Sequence, residues 1–517
     1  MNIEKKCITT LTYPYQVVKI KKKLKFVMKE GYIEQSKRKK ILLLSDDIRF
    51  TSGIATMARE IVVGTSHQFN WVNLGGAVNH PEKGKRLDIS ADTNMHNEIN
   101  DASVFIYPTD GYGDAQTIRQ LIEIEQPDAL MFFTDPRYWI WLFQIENEIR
   151  RKIPMIYLNI WDDYPAPIYN EAYYESCDGL MSISKQTLNI NKLVLGEKIQ
   201  DKILSYVPHG INNKLFYPIE YNDPKLTEVR KNFFQGREYD FVLMFNSRNI
   251  RRKSVPDTLA AFKLFLDSLP KEKANKCAFV LHTQPIDEHG TDLYAVRDML
   301  FTDDECSQIY FSDQRMSASD VNLIYNLSDA VILLSSNEGW GLSLTEAMMC
   351  GKPIIANVTG GMQDQMRFEN EKGEWIDFDE NFCSNHFGTY KKHGKWAFPV
   401  FPSNSSLQGS VPTPYIYDDR ADFREAAKQI LEVYALKTNQ VDEFGSHTRG
   451  FETYEEVSKA AYEWVNSDES MMTADNMCKN VISHVNEVLA TWKPKPKFEL
   501  IKTEQIKRKH IRHKLVY

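Results

Sequence analysis

Residues 331–357 read VILLSSNEGWGLSLTEAMMCGKPIIAN. The run 331–334 is apolar throughout and of strand length, which predicts a strand covered on both faces. Residues 335–341 hold Ser, Asn and two glycines, a loop whose backbone can approach a ligand closely. A helix is predicted over 342–350, and Gly351, Lys352 and Pro353 end it before a second apolar strand at 353–357. Strand, loop, helix and strand form one unit of a parallel sheet, closed by a right-handed crossover.

The same rhythm extends outward. Upstream, predicted strands at 241–245, 278–282 and 309–311 alternate with helices at 255–268, 292–301 and 318–326. Before residue 217 the alternation runs a first time, with strands at 41–45, 103–107, 129–133, 154–160 and 180–183. Helices at 54–63, 115–125 and 138–150 lie between them. A Pro-containing stretch, 212–223, joins the halves. The fold class is therefore α/β, with two doubly wound, Rossmann-like domains. The expected division is a basic extension at 1–40, an N-terminal domain at 41–217, a C-terminal domain at 218–450 and a basic tail at 491–517. Residues 364–414 break the rhythm. Gly, Pro, Ser, Asn and many aromatics, as in GKWAFPVFPSNSSLQGSVPTPYIY at 394–417, predict a long irregular insertion, either a functional one near the cleft that shapes the acceptor site or a structural flap packed by its own aromatics. Helices resume at 421–434, 454–466 and 475–489.

Open parallel sheets bind ligands at the carboxyl ends of their strands. There the loop carries Glu338, and Glu346 sits about one turn inside the next helix. Amides at the helix start, around Gly341, Leu342 and Ser343, favour a phosphate. A diphosphate held there leaves Glu346 to reach a ribose and Glu338 to reach the group beyond. A carboxylate suits both tasks because it accepts two hydroxyl hydrogen bonds from a vicinal diol. After the strand 241–245, Arg248 and Lys253 occupy a loop before a helix, where two cations would neutralise a leaving diphosphate. Alone, such a pair is ordinarily a solvated one. Its meaning comes from sharing a half with the two glutamates.

These residues resemble the C-terminal domain of the retaining GT-B glycosyltransferases called group 1, or family 4. The resemblance rests on Glu338 and Glu346, on Arg248 and Lys253, and on EGWGLSLTEAMMCGKPIIA at 338–356. Thr359, Gly360 and Gly361 resemble the family's Gly-Gly turn, and VPHGINNKLFYP at 207–218 its inter-domain segment. Met181 to Lys185 resemble the preceding strand end, and Gly53 in FTSGIATMARE the N-terminal glycine loop facing the donor. The likeness covers roughly 41–363 and 415–467, and is most specific in the C-terminal half. It implies a nucleotide-sugar donor (UDP-, GDP- or ADP-sugar), retention at the anomeric carbon, and no required metal or other cofactor. Arg248 and Lys253 would hold the pyrophosphate, Glu346 the ribose, and Glu338 the sugar hydroxyls. Backbone amides of Gly339, Trp340, Gly341, Leu342 and Ser343 would contact phosphate or sugar. The last helices, 451–490, would cross back onto the N-terminal domain. Where many members carry His-Asp, this chain has Trp161, Asp162 and Asp163, so Asp162 is a catalytic candidate with a cap or loop aspartate as its alternative. The family's Pro-Glu is replaced by Met362-Gln363. His209 sits in the inter-domain segment, as a cleft residue or a structural one.

The 517 residues carry a net charge of −7, which argues against a simple polycationic nucleic-acid binder. The charge is uneven. Residues 1–40 hold twelve Lys/Arg against three Glu, and residues 493–517 nine against two. Two basic ends on an acidic body suit a polyanionic surface or simply solvated tails. Val17, Ile20, Leu24 and Val27 fall near helical spacing among lysines, as on an interfacial helix, or belong to an edge strand. The expected acceptor is a glycan or lipid-linked glycan, with peripheral contact to an anionic membrane. A modified base in nucleic acid or a protein hydroxyl is the alternative, and a non-catalytic GT-B module the third reading. No apolar run approaches the ~20 residues of a membrane span, and seven scattered cysteines predict neither disulfides nor zinc. A cytoplasmic chain is the expectation.

Overall fold

The structure is a computed structural model describing residues 29–379, 381–382, 384–439 and 453–496. The interfacial segment read at 17–27, most of both basic ends, Cys7 and Cys383 lie outside the described residues.

The first half forms an eight-stranded sheet in the order β3-β4-β2-β1-β5-β6-β7-β8. Its strands are β1 (Lys39–Asp46), β2 (Phe69–Val78), β3 (Leu87–Asp88), β4 (Val104–Asp110), β5 (Ala129–Phe133), β6 (Met155–Asn159), β7 (Gly179–Ser182) and β8 (Ile203–Tyr206). All pairings are parallel except that of the two-residue β3 with β4. Every residue of β5 is buried, as expected for a strand covered on both faces. Three strands escape the sequence pattern. In β2, Asn70, Asn73 and two glycines dilute the apolar run, yet Asn73 is fully buried and donates to the Leu43 carbonyl at 3.2 Å. β3 and β8 are the two edge strands, only two and four residues long. The helix expected at 138–150 is instead a 3₁₀ turn, Pro136–Trp139, and two four-residue helices, Ile140–Phe143 and Glu146–Ile149. Its aromatics pack as rings on the sheet, Trp139 and Phe143 both against Phe132 of β5, instead of forming one helical stripe.

The second half is a six-stranded parallel sheet in the order β11-β10-β9-β12-β13-β14. Its strands are β9 (Phe241–Asn246), β10 (Cys277–His282), β11 (Ile309–Ser312), β12 (Ala330–Leu333), β13 (Ile354–Asn357) and β14 (Ala397–Val400). β14 corrects the reading of 364–414 as irregular: part of that segment is a fully buried strand. Pro399 lacks an N–H and so concealed it, but β14 is an edge strand, where proline is tolerated. The segment then continues into an antiparallel hairpin, β15 (Pro402–Ser410) with β16 (Thr413–Ala421).

The C-terminal helices divide their loyalty. Helix Tyr454–Val465 stays on the second half, where Ser458 Oγ donates to the Gly351 carbonyl. Only helix Ala474–Thr491 crosses to the first half, where Cys478 lies on Glu60 and His484 hydrogen-bonds Ser205 at 2.6 Å. The two chain crossings run side by side. Ile211 N–H donates to the Met472 carbonyl at 2.9 Å, and a Cβ on Gly210 would sit 2.2 Å from the Thr473 carbonyl.

Candidate active site

Each sheet has one point where strand order reverses, between β1 and β5 in the first and between β9 and β12 in the second. Loops diverge there and leave a crevice. The loops after these four strands face one another across a cleft of about 1160 Å³. Thr51, Ser52 and Gly53 follow β1, Asp135 and Arg137 follow β5, Arg248 to Lys253 follow β9, and Asn337 to Ser343 follow β12. Gly53, Asp162, Arg248, Lys253, Glu338, Gly339, Trp340, Gly341, Leu342, Ser343, Glu346 and His209 all line this one cleft.

Glu338 is its electrostatic centre. The buried carboxylate accepts from the ammonium of Lys253 and, at 3.2 Å, from Arg252 Nη1. Burial pushes the carboxyl up, but Lys253 and Arg252 outweigh it and hold it down to about 2. Burial and Arg252 push the Lys253 ammonium the other way, down to about 8, against the pull of Glu338. Two cations meet one carboxylate in a recess, and Asp162 and Asp163 also lie close enough to act on Arg252. Arg252 was not read from the sequence, where spacing singled out Arg248. The Arg248 side chain is 59% exposed and forks onto Asp287 at 2.8 and 3.2 Å, whereas that of Lys253 is 9% exposed. The run Arg251-Arg252-Lys253 was the missed signal.

The helix Leu342–Met349 begins beside this centre. Its N-cap is Gly341, at φ +86°, and no side chain caps its first amides. Glycine is required behind the loop as well. Gly360 has φ +53°, and a Cβ there would lie 2.0 Å from the Glu338 carbonyl. The Trp340 indole faces inward and donates to Thr345 at 2.9 Å, so it is that residue's backbone that borders the cleft. Glu346 is half-buried and accepts from the Tyr325 hydroxyl at 2.6 Å, which in turn accepts from Asn246. Burial, with no cation beside it, pushes its carboxyl up to about 7.

The first half contributes the opposite wall. Ser52 caps helix Gly53–Thr65 by accepting from Ala55 N–H and donates to Asp46 at 2.5 Å. A Cβ on Gly53 would touch Leu342 at 3.4 Å, so this glycine faces the phosphate-type loop directly. Asp162 and Asp163 follow β6. Asp163 accepts from Asn337 of the other half at 2.5 Å, and a Cβ on Gly339 would lie 4.0 Å from Asp162. Burial pushes both carboxyls up, with Arg252 opposing and Glu338 assisting for Asp162, so the pair favours retaining a proton. Burial pushes the His209 imidazole down to about 3. It stands edge-on to Phe133 and Trp340, and its Nδ1 has no hydrogen-bond partner among the described residues.

Residues 307–381, which include the Glu338–Glu346 element, match the family model of glycosyl transferases group 1. The alpha-monoglucosyldiacylglycerol synthase of Acholeplasma laidlawii is 26% identical over 171 residues, 32% of this chain and 40% of that protein. The mannosylfructose-phosphate synthase of Agrobacterium fabrum is 23% identical over 195 residues, 37% of this chain and 39% of that protein. The matched segments thus span about two fifths of these curated relatives. Among solved structures, the sucrose-phosphate synthase of Thermosynechococcus elongatus superposes with a TM-score of 0.59 over 88% of this chain and 100% of that one, at 13% identity. Anabaena HepE, in complex with UDP and glucose, superposes with a TM-score of 0.57 over 87% and 100%, also at 13% identity. The architecture is GT-B, as the sequence resemblance implied.

Proposed function

We propose that this chain, which has the GT-B fold and a group 1 glycosyl transferase segment, is a retaining glycosyltransferase acting from a nucleotide-sugar donor on a hydroxyl of a glycan or lipid-linked glycan. The observation that carries the reading is the buried Glu338–Lys253–Arg252 cluster beside an uncapped helix start. Its two cations and the amides of the helix start suit a diphosphate. Glu346, one turn further along, then suits the ribose diol. The HepE structure, a complex with UDP and glucose, supports a donor of that class.

In this reaction the bond from the anomeric carbon to phosphate oxygen breaks and a bond to the acceptor oxygen forms. The nucleoside diphosphate leaves with the acceptor's proton. Arg252, Lys253 and the helix amides stabilise the charge growing on the departing phosphate. Glu338 is held ionised by two cations, which makes it a poor free nucleophile and supports front-face departure with retention. The same two cations take the place a divalent ion would fill, so the reading includes donor binding without a metal. Five described cysteines are free thiols, which supports a reducing, cytoplasmic setting. Among the described residues no helix is long and apolar enough to cross a membrane.

A thermal-shift titration with UDP, GDP, ADP and their sugar conjugates, with and without EDTA, tests the reading. A ligand at 100 times its dissociation constant adds about 2.7 kcal/mol. One nucleotide should raise Tm by several degrees in EDTA, and Glu346→Ala should abolish the shift. No shift with any of them would overturn the donor site.

A further inference from the structure

The hairpin β15–β16 is rooted in one half and lands on the other. At its base, Asp419 accepts from Thr359 Oγ1 at 2.8 Å and its carbonyl accepts from Asn357 at 2.8 Å. Further along, Tyr417 N–H donates to the Tyr164 carbonyl at 2.6 Å, and the Tyr169 hydroxyl donates to the Tyr415 carbonyl at 2.9 Å. Arg137 Nη1 donates to Thr413 Oγ1 at 2.7 Å. Ile416 and Tyr417 pack against the apolar core of the first half. The hairpin is therefore a fixed bridge, and its Gln408, Gly409, Ser410 and Thr413 line the cleft.

Resting on the donor reading above, we infer that this bridge is a wall of the acceptor subsite and selects the neutral, hydroxyl-rich end of a carbohydrate. The chemistry of the wall carries the choice. Where it lines the cleft the hairpin offers an amide and hydroxyls, and its charged residues Asp418, Asp419 and Arg420 lie toward its base, outside that lining. Beside it, the Arg137 guanidinium of the first half is already committed. It forks onto Asp135 at 2.8 and 3.0 Å and gives another N–H to Thr413. Asn337 donates to both Asp163 and the hairpin's Tyr417 carbonyl, which sets the Asp162–Asp163 carboxyls beside this wall. A phosphodiester backbone lying along this wall would meet those acids and a guanidinium already held by Asp135, which costs affinity, while the cleft's remaining cations, Arg248, Arg251, Arg252, Lys253 and Arg315, stand on loops of the second half. Sugar hydroxyls are donors and acceptors at once and suit carboxylates, amides and hydroxyls together. The cleft volume, about 1160 Å³, exceeds the roughly 300–1,000 Å³ of a pocket for one drug-sized ligand, leaving room beside a donor for a sugar end.

The test uses the full chain with its matched radiolabelled donor. Three acceptor probes compete: a mixture of neutral trisaccharides, a DNA duplex carrying hydroxymethylcytosine, and diacylglycerol in phosphatidylglycerol vesicles. Label should move to a trisaccharide. Gln408→Ala and Thr413→Val should each raise its KM about tenfold, with far smaller changes in donor KM, and Thr413→Ser should restore the wild-type value. Label moving only to DNA or only to lipid would overturn the inference, as would unchanged acceptor KM in both variants. Donor hydrolysis without transfer to any trisaccharide would overturn it while leaving the donor reading intact. Absence of any donor cleavage by the wild type would bring down the donor reading and this inference together.

Discussion

Lys253 offers the sharpest prediction, because its ammonium is held near about 8 by burial and Arg252 against the pull of Glu338. In the empty cleft Lys253 is then about nine-tenths charged at pH 7 and about one-tenth charged at pH 9. A bound diphosphate adds negative charge beside it and drives the ammonium back to its charged form. Binding should therefore take up a proton, about half a proton per site at pH 8. The nucleotide's dissociation constant should rise about tenfold between pH 7 and pH 9, a loss of ~1.4 kcal/mol. Isothermal titration in two buffers of different ionisation enthalpy reads the proton uptake directly. Glu338→Gln removes the one carboxylate that touches Lys253 among the described residues, so the break in affinity should move below pH 8. An affinity that is flat from pH 7 to 9 with no proton exchange would refute the argument. So would a Glu338→Gln variant with the break in its original place.

Other outcomes follow from the same geometry. The Glu346 carboxyl is raised to about 7, so its ionisation costs folding stability as pH rises through that value, and none below the ordinary carboxylate range. Glu346→Gln should stabilise the protein by about 2 kcal/mol at pH 8 and not at pH 4, seen by urea unfolding, while weakening nucleotide binding. Gly360→Ala places a Cβ against the Glu338 carbonyl at a left-handed φ, and should cost at least about 2 kcal/mol and abolish the nucleotide-induced thermal shift. Ser52→Ala removes the cap of the helix that starts at Gly53 and should cost about 1 kcal/mol in denaturant midpoint analysis.

What could be read from the sequence was local. The tract 331–357 holds strand, glycine loop and helix in unbroken order, so its elements and the nearness of Glu338 to the helix start follow from adjacent residues. Arg252 was missed because the choice between Arg248 and Arg252 depends on which side chain turns inward. That is decided by Asp287, thirty-nine positions beyond Arg248, which draws Arg248 outward. β14 was missed because Pro399 masks a strand that is legitimate only at a sheet edge, and edge position is a property of the whole sheet. A functional role for the insertion was legible in its irregular, aromatic composition, but the hairpin's bridge to the first half was not. Its partners Arg137, Tyr164 and Tyr169 lie some two hundred and fifty residues upstream, and no spacing rule links them.

The account stands or falls on sugar transfer from a nucleotide donor in this cleft. The most direct measurement is proton NMR of the anomeric signal of UDP-, GDP- and ADP-sugars incubated with the protein in EDTA. The account predicts that one donor is consumed and that the sugar's anomeric configuration is unchanged in the first product formed. It also predicts that Lys253→Met slows consumption at least about a hundredfold, the scale of losing one charge-stabilising contact to a leaving group. Inversion at the anomeric carbon, or no consumption of any donor, would contradict it.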